Sequence, residues 1–231
     1  MLDERYNDGS YLLKNPTWDV EDSPWKVKKI IELINKNNIS PKSIVDIGCG
    51  AGEIIKLIWK HYNGEVQCSG YEISENAYNI CKEKNEDNLN YFLGDLFNSK
   101  KKFSLLLMID VFEHVSDYLG FLKKGKNYSE YKIFHIPLDM TVSSVLRVKP
   151  IQNARNKVGH LHYFSKETAL ASLEDTGYEI IDYEYTAGSI EIHYPNITTN
   201  LMSIPRKILF KISEDYAARL LGGFSLLVLA K

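Results

Sequence analysis

Residues 44–52 read Ile-Val-Asp-Ile-Gly-Cys-Gly-Ala-Gly, a short apolar run that ends in an acid and three alternating glycines. With no side chain at Gly48, Gly50 or Gly52, backbone can come within contact distance of a ligand. Ile54, Ile55, Leu57 and Ile58 follow at helical rather than strand spacing. The glycines therefore fall between a strand and a helix N-terminus, the place where open α/β sheets bind their ligands.

Glycine spacing narrows the ligand. A dinucleotide fingerprint needs a third glycine where this chain has Glu53. A carboxylate there would repel a pyrophosphate seeking the positive end of the helix dipole. No Gly-Lys-Ser/Thr follows, so the P-loop pattern fails as well.

The rest of the chain alternates strands with helices, which predicts a doubly wound, mostly parallel sheet. A helix is expected from an N-cap at Ser23, with Pro24 at its first position, to about Asn37. Val27, Ile30, Ile31 and Ile34 share one of its faces. Further strands are expected at 66–71, ending at Glu72, and at 90–93, ending at Gly94-Asp95. Others follow at 103–109, 131–136, 178–185 and 224–230. The 103–109 run is continuously apolar after Ser104, as a strand covered on both faces must be. Helices are expected from Ser74 and over 165–175, while residues 1–22 are polar and aromatic with little periodicity. The stretch Thr186–Gly223 is too long for an ordinary connection and reads as a helical insertion, with pieces at 198–209 and 213–221. Leu138–Leu161 is also long, and both stretches should lie over the carboxyl edge of the sheet.

With 231 residues the chain suffices for one domain: an N-terminal lid and helix (1–40), a ligand-binding half (41–137) and a substrate-side half (138–231). Against 30 acids stand 28 Lys and Arg, a net charge of −2 that offers no basic field for nucleic acid. Lys100–Lys102 and Lys123–Lys126 read as solvated turns or helix ends. Cys49, Cys68 and Cys81 are odd in number and lack Cys-x-x-Cys spacing, which fits a reducing compartment. Residues 1–10 are polar and acidic rather than a signal peptide, and no apolar run is long enough to span a membrane. A cytoplasmic protein is expected, a monomer or a homodimer.

The run Val45-Asp46-Ile47-Gly48-Cys49-Gly50-Ala51-Gly52 resembles the first motif of the class I S-adenosylmethionine-dependent methyltransferases of small-molecule type. Their ligand carries an ammonium and a sulfonium and no phosphate, so an acid beside the turn is an asset. The resemblance implies a Rossmann-like seven-stranded sheet whose last strand runs antiparallel. It covers roughly 23–137 well, and beyond that matches only in strand and helix order. It also implies S-adenosylmethionine as cofactor, held by Asp46, Gly48, Cys49, Gly50 and Gly52 at the turn. Glu72 and Ile73 follow the second strand, Asp95 and Leu96 the third, Ile109 and Asp110 the fourth. On this resemblance Asp46 reaches the ammonium, Glu72 accepts both ribose hydroxyls, and Asp95 receives the adenine amine beside an apolar wall at Leu96.

Met108-Ile109-Asp110-Val111-Phe112-Glu113-His114-Val115 is similar to the fourth motif of the same family. His114 is a candidate general base, an imidazole titrating near neutrality, or else a helix-start residue that bonds backbone. His160 and His162 are candidates for the substrate pocket, with a structural role open. Metal ligation would need a third or fourth ligand, and His135 and His193 have no known placement, so no metal is expected. Tyr11 and Trp25 are further pocket candidates. The aromatic segment with Tyr6, Tyr11, Trp18 and Trp25 either folds over the sulfonium or packs the first helix on the sheet.

Methyl transfer to an oxygen, nitrogen or carbon of a small molecule, such as a metabolite, sugar or lipid-linked precursor, is the expected activity. A non-catalytic protein that binds the same cofactor and regulates is the alternative. A nicotinamide oxidoreductase is disfavoured by Glu53. No Asn/Asp-Pro-Pro-Tyr motif follows the fourth strand, which argues against a base or glutamine as acceptor.

Overall fold

The structure, a computed structural model, describes residues 6, 9–18, 20–192 and 197–231. Its centre is a seven-stranded sheet in the order β3-β2-β1-β4-β5-β7-β6. The strands are β1 Ser43–Ile47, β2 Gln67–Glu72, β3 Leu89–Leu93, β4 Phe103–Ile109, β5 Ser129–Pro137, β6 Ile180–Thr186 and β7 Ser225–Ala230. β1 to β5 pair in parallel, and β7 lies antiparallel between β5 and β6. Strand order reverses between β1 and β4, and a crevice opens outside their carboxyl ends at such a switch point.

The continuous apolar run of β4 is explained by its two covered faces. Leu105 and Leu107 pack with Ile30, Ile34, Ile55 and Ile58 on one side. Leu106 and Met108, pointing the other way, pack with Phe112, Phe134 and Leu173 on the other. The helices supplying these faces include α2 Ser23–Lys36, α3 Glu53–His61 and α8 Lys166–Asp175.

Short elements fill the stretches that lacked periodicity. α1 Ser10–Lys14 lies in the N-terminal segment. α4 Glu75–Cys81 follows β2, and α5 Tyr118–Gly125 precedes β5. The long connection after β5 holds α6 Val142–Arg147, α7 Lys149–Asn153 and a π turn over Ala154–Val158. The insertion holds α9 Gly188–Glu191, α10 Ile197–Ile212 with Pro205 inside it, and α11 Glu214–Leu221. One expected cap is corrected: Asp22, not Ser23, occupies the N-cap of α2, and Ser23 with Pro24 forms its first turn. Ser74 and Ser165 do cap α4 and α8, their side chains accepting from Ala77 N and Thr168 N. Cys49, Cys68 and Cys81 are buried free thiols. No described helix is long and apolar enough to cross a membrane.

Candidate active site

Asp46, Glu72 and Asp95 follow one another across the carboxyl ends of β1, β2 and β3, and all three line one cavity of about 1100 Å³. The bare turn after β1 forms its floor. Gly48 N and Cys49 N donate to Tyr71 O at 2.8 and 3.2 Å, tying the turn to β2. Glu72 then organises the opening: Oε2 accepts from Gly50 N at 2.8 Å, and Oε1 accepts from Ile73 N and Ser74 N, both at 2.8 Å. A carboxylate has about four acceptor sites, so three amides leave it capacity for a ligand. Burial pushes the Glu72 carboxyl up, while the amides of Ser74, Gly50 and Ile73 pull it back part of the way. Burial and the neighbouring Glu72 charge push Asp46 well above the usual carboxylate range. Asp46 Oδ1 has no hydrogen-bond partner among the described residues. An orphaned buried acceptor facing a cavity marks where a cationic or N–H-bearing ligand fits.

Most residues singled out from sequence meet here. Gly48, Cys49, Gly50, Ile73, Leu96, Ile109 and Asp110 line the cavity, as do His114, Tyr11, Trp25 and His160. Two do not. Gly52 turns away: a Cβ there would stand 2.4 Å from Tyr91 Cε1 and 2.7 Å from Cys81 Cβ, so this glycine serves close packing under the turn. His162 also points elsewhere, its Nε2 donating to Val115 O at 3.0 Å and its ring against Tyr118 at 4.5 Å between centroids. His193 lies outside the described residues.

Beyond β4 lies a polar chain that sequence reading missed. Asp110 has φ +55°, a left-handed conformation that turns it back over the strand end. Its Oδ2 sits 2.7 Å from Lys26 Nζ and its Oδ1 2.7 Å from His135 Nδ1. His135 Nε2 meets Thr186 Oγ1 at 2.9 Å, and Lys26 also reaches Asp22 at 2.8 Å. Burial alone would raise Asp110, but His135 and Lys26 outweigh it and hold the carboxyl well below its ordinary range. Burial likewise opposes the charge on Lys26, and Asp110 with Asp22 overcomes it. The Lys26 ammonium is thus already neutralised by Asp110 and Asp22. A polar His135 near the end of an apolar strand was the one available hint of this chain.

Described residues of the N-terminal segment also border the cavity. Tyr11 packs on Tyr6 and Trp18 at centroid distances of 5.0 and 4.8 Å. Tyr6 O accepts from Ser74 Oγ at 2.6 Å, and the Tyr6 hydroxyl lies 2.9 Å from His114 Nδ1. Tyr6, Tyr11, Trp18 and Trp25 all line the cavity. Trp25 is fixed by its indole N–H, which donates to Glu191 Oε2 at 2.9 Å.

A bare backbone turn, acids on three adjacent strand ends and the strand order above define a Rossmann-like methyltransferase fold. Residues 22–183 match the methyltransferase domain family, and the chain belongs to it, as a class I enzyme fold whose methyl donor is S-adenosylmethionine. The match to a curated relative is partial. Norajmaline N-methyltransferase of Rauvolfia serpentina is 34% identical over 92 residues, 36% of this chain and 31% of that enzyme's length. Among solved structures, the plantazolicin methyltransferase in complex with a desmethyl analogue and S-adenosylhomocysteine superposes with a TM-score of 0.62. That comparison is at 17% identity and covers 98% of this chain and 91% of that one. The magnesium protoporphyrin IX methyltransferase of Synechocystis PCC 6803 gives 0.59 at 14% identity, covering 89% and 81%. Likenesses at such identity are likenesses of fold.

Proposed function

We propose that this protein transfers the methyl group of S-adenosylmethionine to a nucleophilic oxygen, nitrogen or carbon of a small molecule. The observation that carries this reading is the shared cavity of Asp46, Glu72 and Asp95 around the bare turn. Pockets for one drug-sized ligand are roughly 300–1,000 Å³. A cavity of about 1100 Å³ accommodates a second, small reactant beside the cofactor.

In this reading Glu72 uses its remaining acceptor capacity on the ribose hydroxyls, and Asp95 receives the adenine amine beside Leu96. Asp46 offers its unpartnered Oδ1 to the ammonium. Gly48, Cys49, Gly50 and Ile73 form the backbone wall, while Ile109 and Asp110 flank the methionine portion. The cofactor brings a methyl already activated on sulfur, so the chain's task is alignment and exclusion of water. Tyr6, Tyr11 and Trp18 close the site, and their π faces suit a sulfonium by about 0.5–2 kcal/mol. Tyr11, Trp25 and His160 border the acceptor. His114 acts as base where the acceptor must lose a proton.

The net charge of −2 supports a small acceptor rather than nucleic acid, and the relative named for N-methylation of norajmaline agrees with that class. The whole chain works as one domain, with 41–137 holding the cofactor and 138–231, including the insertion at 186–223, shaping the acceptor side. Three buried free thiols support a reducing, cytoplasmic setting.

Calorimetry with S-adenosylmethionine and S-adenosylhomocysteine tests this directly, and no heat from either at millimolar concentration ends it. A radiolabelled methyl-transfer screen against cell extract then separates turnover from binding alone.

A further inference from the structure

Glu113, His114 and His160 each present a ligand atom, and these atoms lie within 4.8 Å of one another. They come from two segments far apart in sequence, the turn after β4 and the loop before α8. Backbone stitches the two together: Leu161 N and His162 N both donate to Glu113 O, at 2.8 and 3.1 Å. The Glu113 side chain has no exposed surface, and neither carboxylate oxygen has a hydrogen-bond partner among the described residues. A carboxyl group so placed has to be neutralised by a proton or a cation.

The two histidines are prepared for the second option. His160 Nδ1 is 2.5 Å from Asp139 Oδ2. An ionised carboxylate only accepts, so Nδ1 carries the hydrogen and Nε2 keeps its lone pair. This carboxylate–histidine pairing is the usual support of a metal-binding imidazole. The Tyr6 hydroxyl, which donates to Val158 O at 3.4 Å, can accept from His114 Nδ1 at 2.9 Å, and His114 Nε2 then lies 3.8 Å from Glu113 Oε1. Both imidazoles line the cavity. From sequence the pair His160 and His162 lacked a third ligand; folding turns His162 away and supplies Glu113 and His114 instead.

We infer that Glu113, His114 and His160 bind a divalent transition-metal ion at the wall of the cavity, with Asp139 and Tyr6 orienting the two imidazoles. Two imidazoles and one carboxylate suit zinc, with ferrous iron and manganese as weaker fits, whereas magnesium and calcium favour all-oxygen sets. Three protein ligands leave at least one coordination position for a molecule in the cavity. On the methyl-transfer reading, that molecule is the acceptor, bound through a hydroxyl. With His114 ligating the ion instead of acting as base, the hydroxyl proton passes to water, the oxygen lone pair forms the new bond to the methyl carbon, and the carbon–sulfur bond breaks to leave a neutral thioether. This role rests on the proposed function; the metal site itself does not.

The test is equilibrium dialysis and calorimetry of the full chain against zinc chloride, manganese chloride and magnesium chloride. S-Adenosylhomocysteine binding is measured on the same samples. One equivalent of zinc is expected at micromolar affinity, with magnesium at least 100-fold weaker. Glu113→Gln and His160→Asn should each weaken zinc at least 100-fold, while the exposed His61→Ala leaves it unchanged. Wild-type protein that binds no zinc at micromolar concentration overturns the proposal, whatever the variants do. So does binding that survives both substitutions; should one variant fail to fold, His114→Asn takes its place. Protein that binds S-adenosylhomocysteine but no metal sinks only the metal site. Protein that binds metal but neither form of the cofactor sinks only the methyl-transfer reading.

Discussion

Lys26 on α2 lies 2.7 Å from Asp110 at the end of β4, so an ion pair joins the first long helix to the rim of the cavity. Removing one partner of a buried pair costs about 3–5 kcal/mol. Lys26 and Asp110 side chains are 13% and 26% exposed, and His135 remains beside the acid, so Lys26→Met should fall at or below the low end of that range. Urea denaturation measures it. Asp110 has a depressed folded pKa, so its stabilising contribution is complete above the unfolded carboxylate value of about 3.9 and fades as pH falls below it. The gap between wild type and Lys26→Met should therefore narrow below about pH 4.

Asp46 should behave in the opposite sense. Its folded pKa is raised, so its penalty is absent in acid, grows as pH climbs from the unfolded value, and persists above the folded one. Asp46→Asn is expected to stabilise the ligand-free protein at neutral pH, raising Tm by about 2–4 °C per kcal/mol recovered. That gain should vanish near pH 4, and the same variant should lose S-adenosylhomocysteine affinity. A neutral-pH loss of Tm would contradict the account.

Glu72 holds three backbone amides at the turn and faces the ligand space. A hydrogen bond to a charged group is worth about 1.5–3 kcal/mol. Glu72→Ala should weaken S-adenosylhomocysteine roughly 10- to 100-fold by calorimetry.

Gly50 and Gly52 should separate function from packing. At Gly50 (φ +54°) an added Cβ meets only Trp18, at 3.8 Å. Gly50→Ala should cost about 1–2 kcal/mol for the left-handed backbone and at least tenfold in cofactor affinity. At Gly52 (φ +77°) the Cβ would collide with Tyr91 and Cys81, so Gly52→Ala adds overpacking and should cost about 2–5 kcal/mol. Thermal unfolding and calorimetry on the pair read the two effects apart.

His162 bonds the Val115 carbonyl and packs on Tyr118, away from the cavity. His162→Ala should lower stability by about 1–3 kcal/mol. Its S-adenosylhomocysteine affinity should stay within about twofold of wild type, the measurement that separates a structural from a pocket role.

Much of the fold was legible in the chain itself. Continuous apolar runs such as 103–109 mark strands covered on both faces, and the glycine run marks the turn where β1 hands over to α3. Asp46, Glu72 and Asp95 were recognisable because each sits at the end of a strand, and parallel strands of one sheet must end on the same side. These are local signals, carried by residues near one another in sequence. The facing of Gly52 and His162 was not legible, because a turn residue's direction depends on what packs beneath it. Nor were the longer-range associations. Lys26 meets Asp110 and His135, and Glu113 with His114 meets His160, only because strand order and two long connections bring remote segments to one rim. No periodicity encodes such meetings, since burial and pairing across the sheet decide them after the strands are in place.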